Sequence, residues 1–226
     1  MKSTDNIPVK KPYIQIYARF GLWIVLIISF VWTVSLVLAP LTIPPNTVVA
    51  LNGGANRIDF WDLWAEMPPY QAFIYLLGDI QCHQKSSRTI FINNNEMPVC
   101  ARDASIFFFL TVGLVLSSIM RPDVSVSRAL IRMLPAKLRS KVEKGNKPMI
   151  FSWLLGFICI TPLAIDASIQ LFTSYESTNV TRFLTGIPIG IFGGLVFGLL
   201  IQSIYLLPSP HKRTHVKERQ IEKKDI

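Results

Sequence analysis

The sequence predicts an all-α integral membrane protein, a four-helix bundle with short interfacial or re-entrant helices on its extracytoplasmic side. Three observations carry that expectation. Half of the 226 residues are apolar and only 16% are charged. The apolar residues gather into four blocks, at 17–38, 104–120, 151–172 and 186–207, of the length needed to cross a hydrocarbon core of about 30 Å at roughly 1.5 Å per residue. The basic residues behind the formal charge of +9 fall in the segments that alternating spans leave on one side.

The first block, "YARFGLWIVLIISFVWTVSLVL", carries no charge after Arg19. Its apolar run is longer than a secretory signal core, and Pro40 follows Ala39, the one small residue placed for cleavage, so the segment is expected to be retained as a span. Residues 39–103 form a long outer connection. "LTIPPNTVVALNGGANR" is rich in Pro, Asn and Gly and reads as irregular. "DFWDLWAEM" puts Phe60, Trp61, Trp64 and Met67 on one helical face, an anchor with its rings at headgroup level. "PPYQAFIYLLGDIQCHQ" spaces Phe73, Leu76, Leu77 and Ile80 helically, with Pro69 in the first turn, in a helix too short to cross. "NNNE" breaks the chain, and "MPVCARD" restarts a helix with Pro98 at its first position, which would put Cys100 in the first turn of the second span.

That second span, bracketed by Arg102, Asp103 and Arg121, is short, so its ends belong at the headgroups. The third holds Pro162 and Asp166 within an apolar run, and Gln170 and Thr173 continue the polar stripe. An intramembrane carboxylate is costly unless it is paired or wet, so Asp166 marks a functional position. In the fourth, the glycines of "GIFGGLVFG", Gly190, Gly193, Gly194 and Gly198, fit close helix packing.

Topology follows from charge. The N-terminal tail with Lys2, Lys10 and Lys11, the segment 121–150 and the tail 208–226 are strongly basic, whereas 39–103 holds four basic residues against six acidic ones. Both termini are therefore expected in the cytoplasm, in a single membrane domain of the cell membrane. Within 121–150, "SVSRALIRMLPAKLRSKVEK" sets Leu130, Met133 and Leu134 among basic residues, either as a topology signal or as an amphipathic helix on an anionic leaflet. The charge is thus explained by the lipid bilayer as partner; no nucleic-acid module is present in the sequence.

The unusual polar residues come from three stretches and converge on the outer side. "CHQKSSR" (82–88), "MPVCARD" (97–103), "PLAIDASIQ" (162–170) and "STNVTRFLTG" (177–186) together resemble the DUF2085 family of uncharacterised prokaryotic multi-pass membrane proteins. That resemblance implies a membrane fold with a polar outer cluster and supplies no activity.

The residues themselves leave three readings of Cys82 and Cys100 open. A disulfide would close a loop worth about 3 kcal/mol on the chain-entropy model and would persist outside the cytoplasm. A zinc or iron site would use Cys82, His83 and Cys100, with Asp103 or Asp166 as a fourth ligand. A free-thiol site would use Cys100 as nucleophile, His83 as base and Asp166 to orient or exchange a proton. Independently, Arg88, Arg102 and Arg182, with Gln170, Glu176, Ser177, Thr178 and Asn179, could clamp a phosphate or carboxylate. The leading expectation is a membrane-embedded enzyme or binding protein for an anionic lipid or isoprenoid-like substrate. The alternative is an accessory or transport subunit with Asp166 as an ion or proton relay and a disulfide-clamped outer loop.

Overall fold

A computed structural model describes residues 12–54, 56–143 and 147–206. The basic tails expected at 1–11 and 208–226 lie outside them, as do Lys144 and Leu207. Four helices are long and apolar enough to cross a membrane: α1 (Pro12–Leu41, apolar from Arg19), α4 (Ala101–Ile119), α7 (Lys147–Phe172) and α8 (Asn179–Leu206). The remaining elements are α2 (Trp61–Ala65), α3 (Pro69–Gln81), a 3-10 turn at Ser86–Arg88, the strands β1 (Thr89–Ile92) and β2 (Asn95–Cys100), and α5 (Val126–Ile131) with α6 (Ala136–Val142).

The bundle is built around α4 and α8. A stripe at four-residue spacing, Gly186, Gly190, Gly194 and Gly198, brings the α8 backbone onto α4 so closely that a Cβ on Gly194 would stand 2.0 Å from the Leu110 carbonyl oxygen. Small residues at an interface let van der Waals packing replace the hydrophobic effect, which is absent between helices in lipid. Gly193, expected in the same contact, faces open space, and Gly186 takes its place in the stripe. The first helix packs on both, and polar side chains join the spans: Ser29 Oγ lies 2.7 Å from Thr111 Oγ1, and Ser105 Oγ donates to the Phe183 carbonyl at 2.6 Å. By contrast, α7 is peripheral; Pro148 and Asp166 are its only buried positions among the described residues. It runs without a break through Pro162. An apolar cleft of about 890 Å³ separates its half near α5 from α8, between Trp153, Phe157, Ile160, Ile189 and Phe192.

The connection 42–100 folds into a compact cap over one end of this bundle, and here the structure corrects the sequence reading. Residues 95–100 are a strand, not the start of a helix. Asn93 and Asn94 both take positive φ (52° and 57°), the conformation of a two-residue hairpin turn, and Ile92 pairs with Asn95. The β-branched and aromatic run "TIFI" supplies the partner strand. Pro98, which lacks an N–H, is tolerated because the pairing register shifts between Thr89 and Phe91. The helix α4 therefore begins at Ala101, with Cys100 as its N-cap residue.

The cap core also inverts two expected faces. Trp64 is buried, not at headgroup level: it stacks on Tyr75 (5.0 Å between centroids), and its Nε1–H donates to Asp79 Oδ2 at 2.9 Å. The same oxygen accepts the backbone N–H groups of Asp59 and Phe60 at 3.0 and 3.1 Å. On α3 the buried face is Gln71, Ile74, Tyr75, Gly78 and Asp79, while Phe73 and Ile80 are exposed. The polar residues can be inside because they are paired: Gln71 Nε2 donates to Thr42 Oγ1 at 2.7 Å, and the Tyr75 hydroxyl to the Glu96 carbonyl at 2.7 Å. Gly78 lets α3 meet β2, since a Cβ there would lie 2.0 Å from the Pro98 carbonyl oxygen.

At the other end, the amphipathic stretch is split by Pro135 into α5 and α6. Leu130 and Ile131 are buried by packing within the protein, so Leu130 is unavailable to a leaflet, whereas Met133 is exposed. The fourth span starts earlier than expected. Thr178 accepts the Thr181 backbone N–H at 3.2 Å as a helix N-cap does, which makes "NVTRFL" the first turns of α8 instead of an outer loop.

Candidate functional site

Where the cap meets the bundle, the ends of three spans and the segment after α3 enclose a cavity of about 290 Å³. Cys82, His83, Lys85 and Arg88 enter it from the α3–β1 segment, Cys100, Arg102 and Asp103 from the start of α4, Gln170 from the end of α7, and Arg182 from the first turn of α8. Asn56 and Gln81 complete the wall. The three arginines, both cysteines, His83 and Gln170, all singled out in the sequence, thus line one space. Lys85, Asn56 and Gln81 were not singled out; being ordinary surface types in irregular connections or at a helix end, they carry no sequence signal.

Two of the arginines have carboxylate partners. Arg102 pairs with Asp166, whose side chain is 5% exposed against 16% for the arginine. The carboxylate thus lies behind the wall and fixes Arg102. Asp166 Oδ1 and Arg102 Nε have no hydrogen-bond partner among the described residues, so the pair is only half satisfied. Arg88 Nε lies 3.4 Å from Glu176 Oε1, a more exposed pair, joined by the Ser87 hydroxyl at 3.4 Å.

Arg182 differs. It is 2% exposed and forms no ion pair among the described residues. Its Nε–H donates to the Ser177 carbonyl at 3.1 Å. With the Gln170 amide turned as its neighbours require, Gln170 Oε1 accepts from Arg182 Nη2 at 3.0 Å and from the Ser177 backbone N–H at 2.9 Å, with the Ser177 hydroxyl also in contact. Gln170 and Ser177 therefore position the guanidinium without neutralising it, and the Asp166 carboxylate, near enough to act on it electrostatically, is engaged by Arg102. Thr178 caps α8, and Asn179 Nδ2 donates to the Thr89 carbonyl at 2.7 Å, tying α8 to the hairpin. Glu176, Ser177, Thr178 and Asn179 build the site from outside and do not line it.

The cysteines occupy one wall. Both thiols are unbonded. Their sulfurs and a carboxylate oxygen of Asp103 all lie within 4.8 Å of one another, and Cys100 Sγ is 3.3 Å from Asp103 Oδ2. The Cys100 backbone N–H donates to Cys82 Sγ at 3.3 Å. The hydrogen bond from the Cys100 side chain holds the Cys82 thiol below its ordinary pKa, helped by backbone N–H groups against the opposing effect of burial. The same hydrogen bond, together with burial, pushes Cys100 up. His83 is exposed and faces the same cavity, outside that three-atom group. Cys159 is a half-buried thiol within α7, remote in sequence from this wall.

Fold and site together define a multi-pass membrane protein with a cationic, thiol-bearing cavity at one end of its helix bundle. Residues 82–196, just over half the chain and including every span-borne wall residue, match a family described as predicted membrane proteins, DUF2085, and the chain belongs to that family. An uncharacterized protein of Methanocaldococcus jannaschii is 28% identical over 113 residues, 50% of this chain and 58% of the relative. An uncharacterized protein of Methanothermobacter thermautotrophicus is 29% identical over 115 residues, 49% of this chain and 78% of the relative. The chain thus spans little more than half the length of the first of these relatives. No solved structure matches it.

Proposed function

We propose that the cavity binds the phosphate or carboxylate headgroup of a membrane amphiphile on the extracytoplasmic side. The observation that carries this reading is Arg182, a buried guanidinium without a carboxylate, set among Arg88, Arg102 and Lys85. A buried uncompensated charge costs several kcal/mol, and an anion entering the cavity offsets that cost with charge-assisted, fork-shaped hydrogen bonds. The +4 of the lining cations exceeds what Asp103, Asp166 and Glu176 neutralise by one charge.

Position favours an amphiphile over a free anion. The cavity sits at the ends of membrane helices, and Ile165, Ile169 and Phe172 of α7 are exposed beside it. Gln170, on its wall, is ten residues along α7 from Ile160 in the apolar cleft, a separation of about 15 Å that a hydrocarbon tail can cover. The basic segment 121–150 at the opposite end supports the orientation. Asp166 is engaged by Arg102, which favours a positioning role over a relay. The elevated Cys100 thiol is poorly suited to act as a nucleophile.

Calorimetry on the full chain in neutral detergent tests the reading with three probes: dodecyl phosphate, inorganic phosphate and a neutral dodecyl glycoside. Dodecyl phosphate should bind, and Arg182→Gln should weaken it about 30-fold or more, since losing one partner of a buried charged contact costs about 2–5 kcal/mol. Equal affinity for inorganic phosphate would replace the amphiphile by a soluble anion. No preference over the neutral glycoside would end the proposal.

A further inference from the structure

We infer that Cys82, Cys100 and Asp103 form a binding site for a thiophilic divalent cation of the zinc type, with its fourth coordination position open to the cavity. In a tetrahedral centre with metal–sulfur bonds of about 2.3 Å and metal–oxygen bonds of about 2.0 Å, a thiolate sulfur and a carboxylate oxygen stand about 3.5 Å apart. Cys100 Sγ and Asp103 Oδ2 lie 3.3 Å apart, and Cys82 Sγ falls within 4.8 Å of both. The three donors are thus gathered around one point, and Cys82 Sγ needs at most about 1 Å of closure to reach the roughly 3.8 Å between two thiolates of such a centre.

The surroundings are those of a metal thiolate. The Cys82 sulfur accepts the Cys100 backbone N–H, an interaction that stabilises sulfur as an anion and orients it, as partners behind metal ligands do. Both Cys100 and Asp103 sit at the start of α4, where the helix dipole favours negative charge. A disulfide would remove the Cys100 S–H and leave the Asp103 carboxylate against two sulfurs without a donor or cation between them. Cys100 Sγ donates to Asp103 Oδ2, and a divalent cation that releases this proton to solvent would take its place between the two donors. The complex would carry one net negative charge, which Lys85, Arg88 and Arg182 on the same wall accommodate. His83, which the sequence suggested as a ligand beside Cys82, lies outside the three-atom group, and its exposed ring leaves the fourth position to water or to an anion.

Metal content is measured without any anionic ligand, so it stands or falls separately from the headgroup proposal. Full-length protein purified in neutral detergent should contain about one zinc per chain by elemental analysis. Metal-stripped protein titrated with cobalt(II) should develop thiolate charge-transfer absorption and the visible bands of a tetrahedral centre. Cys82→Ser and Cys100→Ser should each lose most of the metal and weaken the charge-transfer band. Asp103→Asn, which keeps both thiols and the side-chain shape, should retain the charge-transfer band with at least tenfold weaker affinity. If a variant fails to fold, cobalt titration of the stripped wild type still decides. Protein that takes up no cobalt overturns the inference, whether its two thiols label freely or label only after reduction.

Discussion

Replacing Asp166 with asparagine should destabilise the protein and at the same time tighten its grip on anions. The carboxylate is 5% exposed and engages Arg102, itself 16% exposed. Removing one member of a buried pair leaves the other charge uncompensated, at a cost of about 3–5 kcal/mol. Because Arg102 keeps some access to the cavity, the lower end applies, about 3 kcal/mol, which for a chain of this size corresponds to a fall in Tm of about 6–12 °C. The released guanidinium then joins Arg182 as a second unpaired cation on the wall, so the affinity for dodecyl phosphate should rise. Arg102→Gln combined with Asp166→Asn removes both charges and should recover most of the lost stability, because neither partner remains buried and unpaired. Thermal unfolding of the wild type, Asp166→Asn, Arg102→Gln and the double variant in neutral detergent, followed by tryptophan fluorescence, gives the coupling directly, and calorimetry gives the affinity. Additive losses of stability in the double variant would refute the buried-pair reasoning. An unchanged or weakened anion affinity in Asp166→Asn would refute the role of Arg102 on the wall.

Three other perturbations test the frame around the site. Gly194→Ala forces a Cβ against the Leu110 carbonyl oxygen and should lower Tm sharply, whereas Gly193→Ala, which faces open space, should leave it unchanged; melting both variants side by side separates packing from helix propensity. Trp64→Phe removes the donor to Asp79 Oδ2 while keeping a ring against Tyr75, and should cost about 1–3 kcal/mol for the acceptor left short in the cap core, measurable by chemical unfolding. Burial raises the Glu96 carboxyl above its ordinary value of 4.5, against hydrogen bonds from Ser86, Leu51 and Ala50 that lower it. The folded state therefore holds this proton more tightly than the unfolded one, so the contribution of Glu96 to stability is fully present below 4.5 and is lost as pH rises through the elevated folded value. Glu96→Gln should flatten that decline in melts recorded across the acidic range, and an identical pH profile would exclude Glu96 as its source.

The spans were legible because long apolar blocks have few alternatives, and because basic residues mark their ends. The cap was not, since its apolar core also takes in residues that hydropathy places at a surface. Asp79, Gln71 and Glu96 are buried; the two carboxylates accept from backbone N–H groups and Gln71 donates to the distant Thr42 hydroxyl, pairings that no local pattern announces. The face of α3 was misjudged for this reason: Phe73, Leu76, Leu77 and Ile80 are its apolar stripe, yet the protein buries the opposite side, leaving Phe73 and Ile80 exposed and Leu76 and Leu77 half-buried. The hairpin was hidden differently. "NNNE" does carry a turn signal, in two asparagines able to take positive φ, but Pro98 competed with it as a helix start.

The site was more legible than the cap that builds it, for a physical reason. Arginine, histidine and aspartate beside apolar helices are costly without partners, so their presence points to a common place even when its geometry is unknown. What the sequence could not apportion was compensation. Arg88, Arg102 and Arg182 look alike as residues, but Glu176 and Asp166 answer the first two, while Arg182 receives only a carbonyl and an amide oxygen. That difference arises from the start of α8, where the Thr178 cap turns "NVTR" into helix and swings Arg182 inward over Gln170. Had α8 begun at residue 186, Arg182 would sit on a loop with water as its partner. The helical start instead commits a buried guanidinium to the cavity, where the proposed anion would meet it.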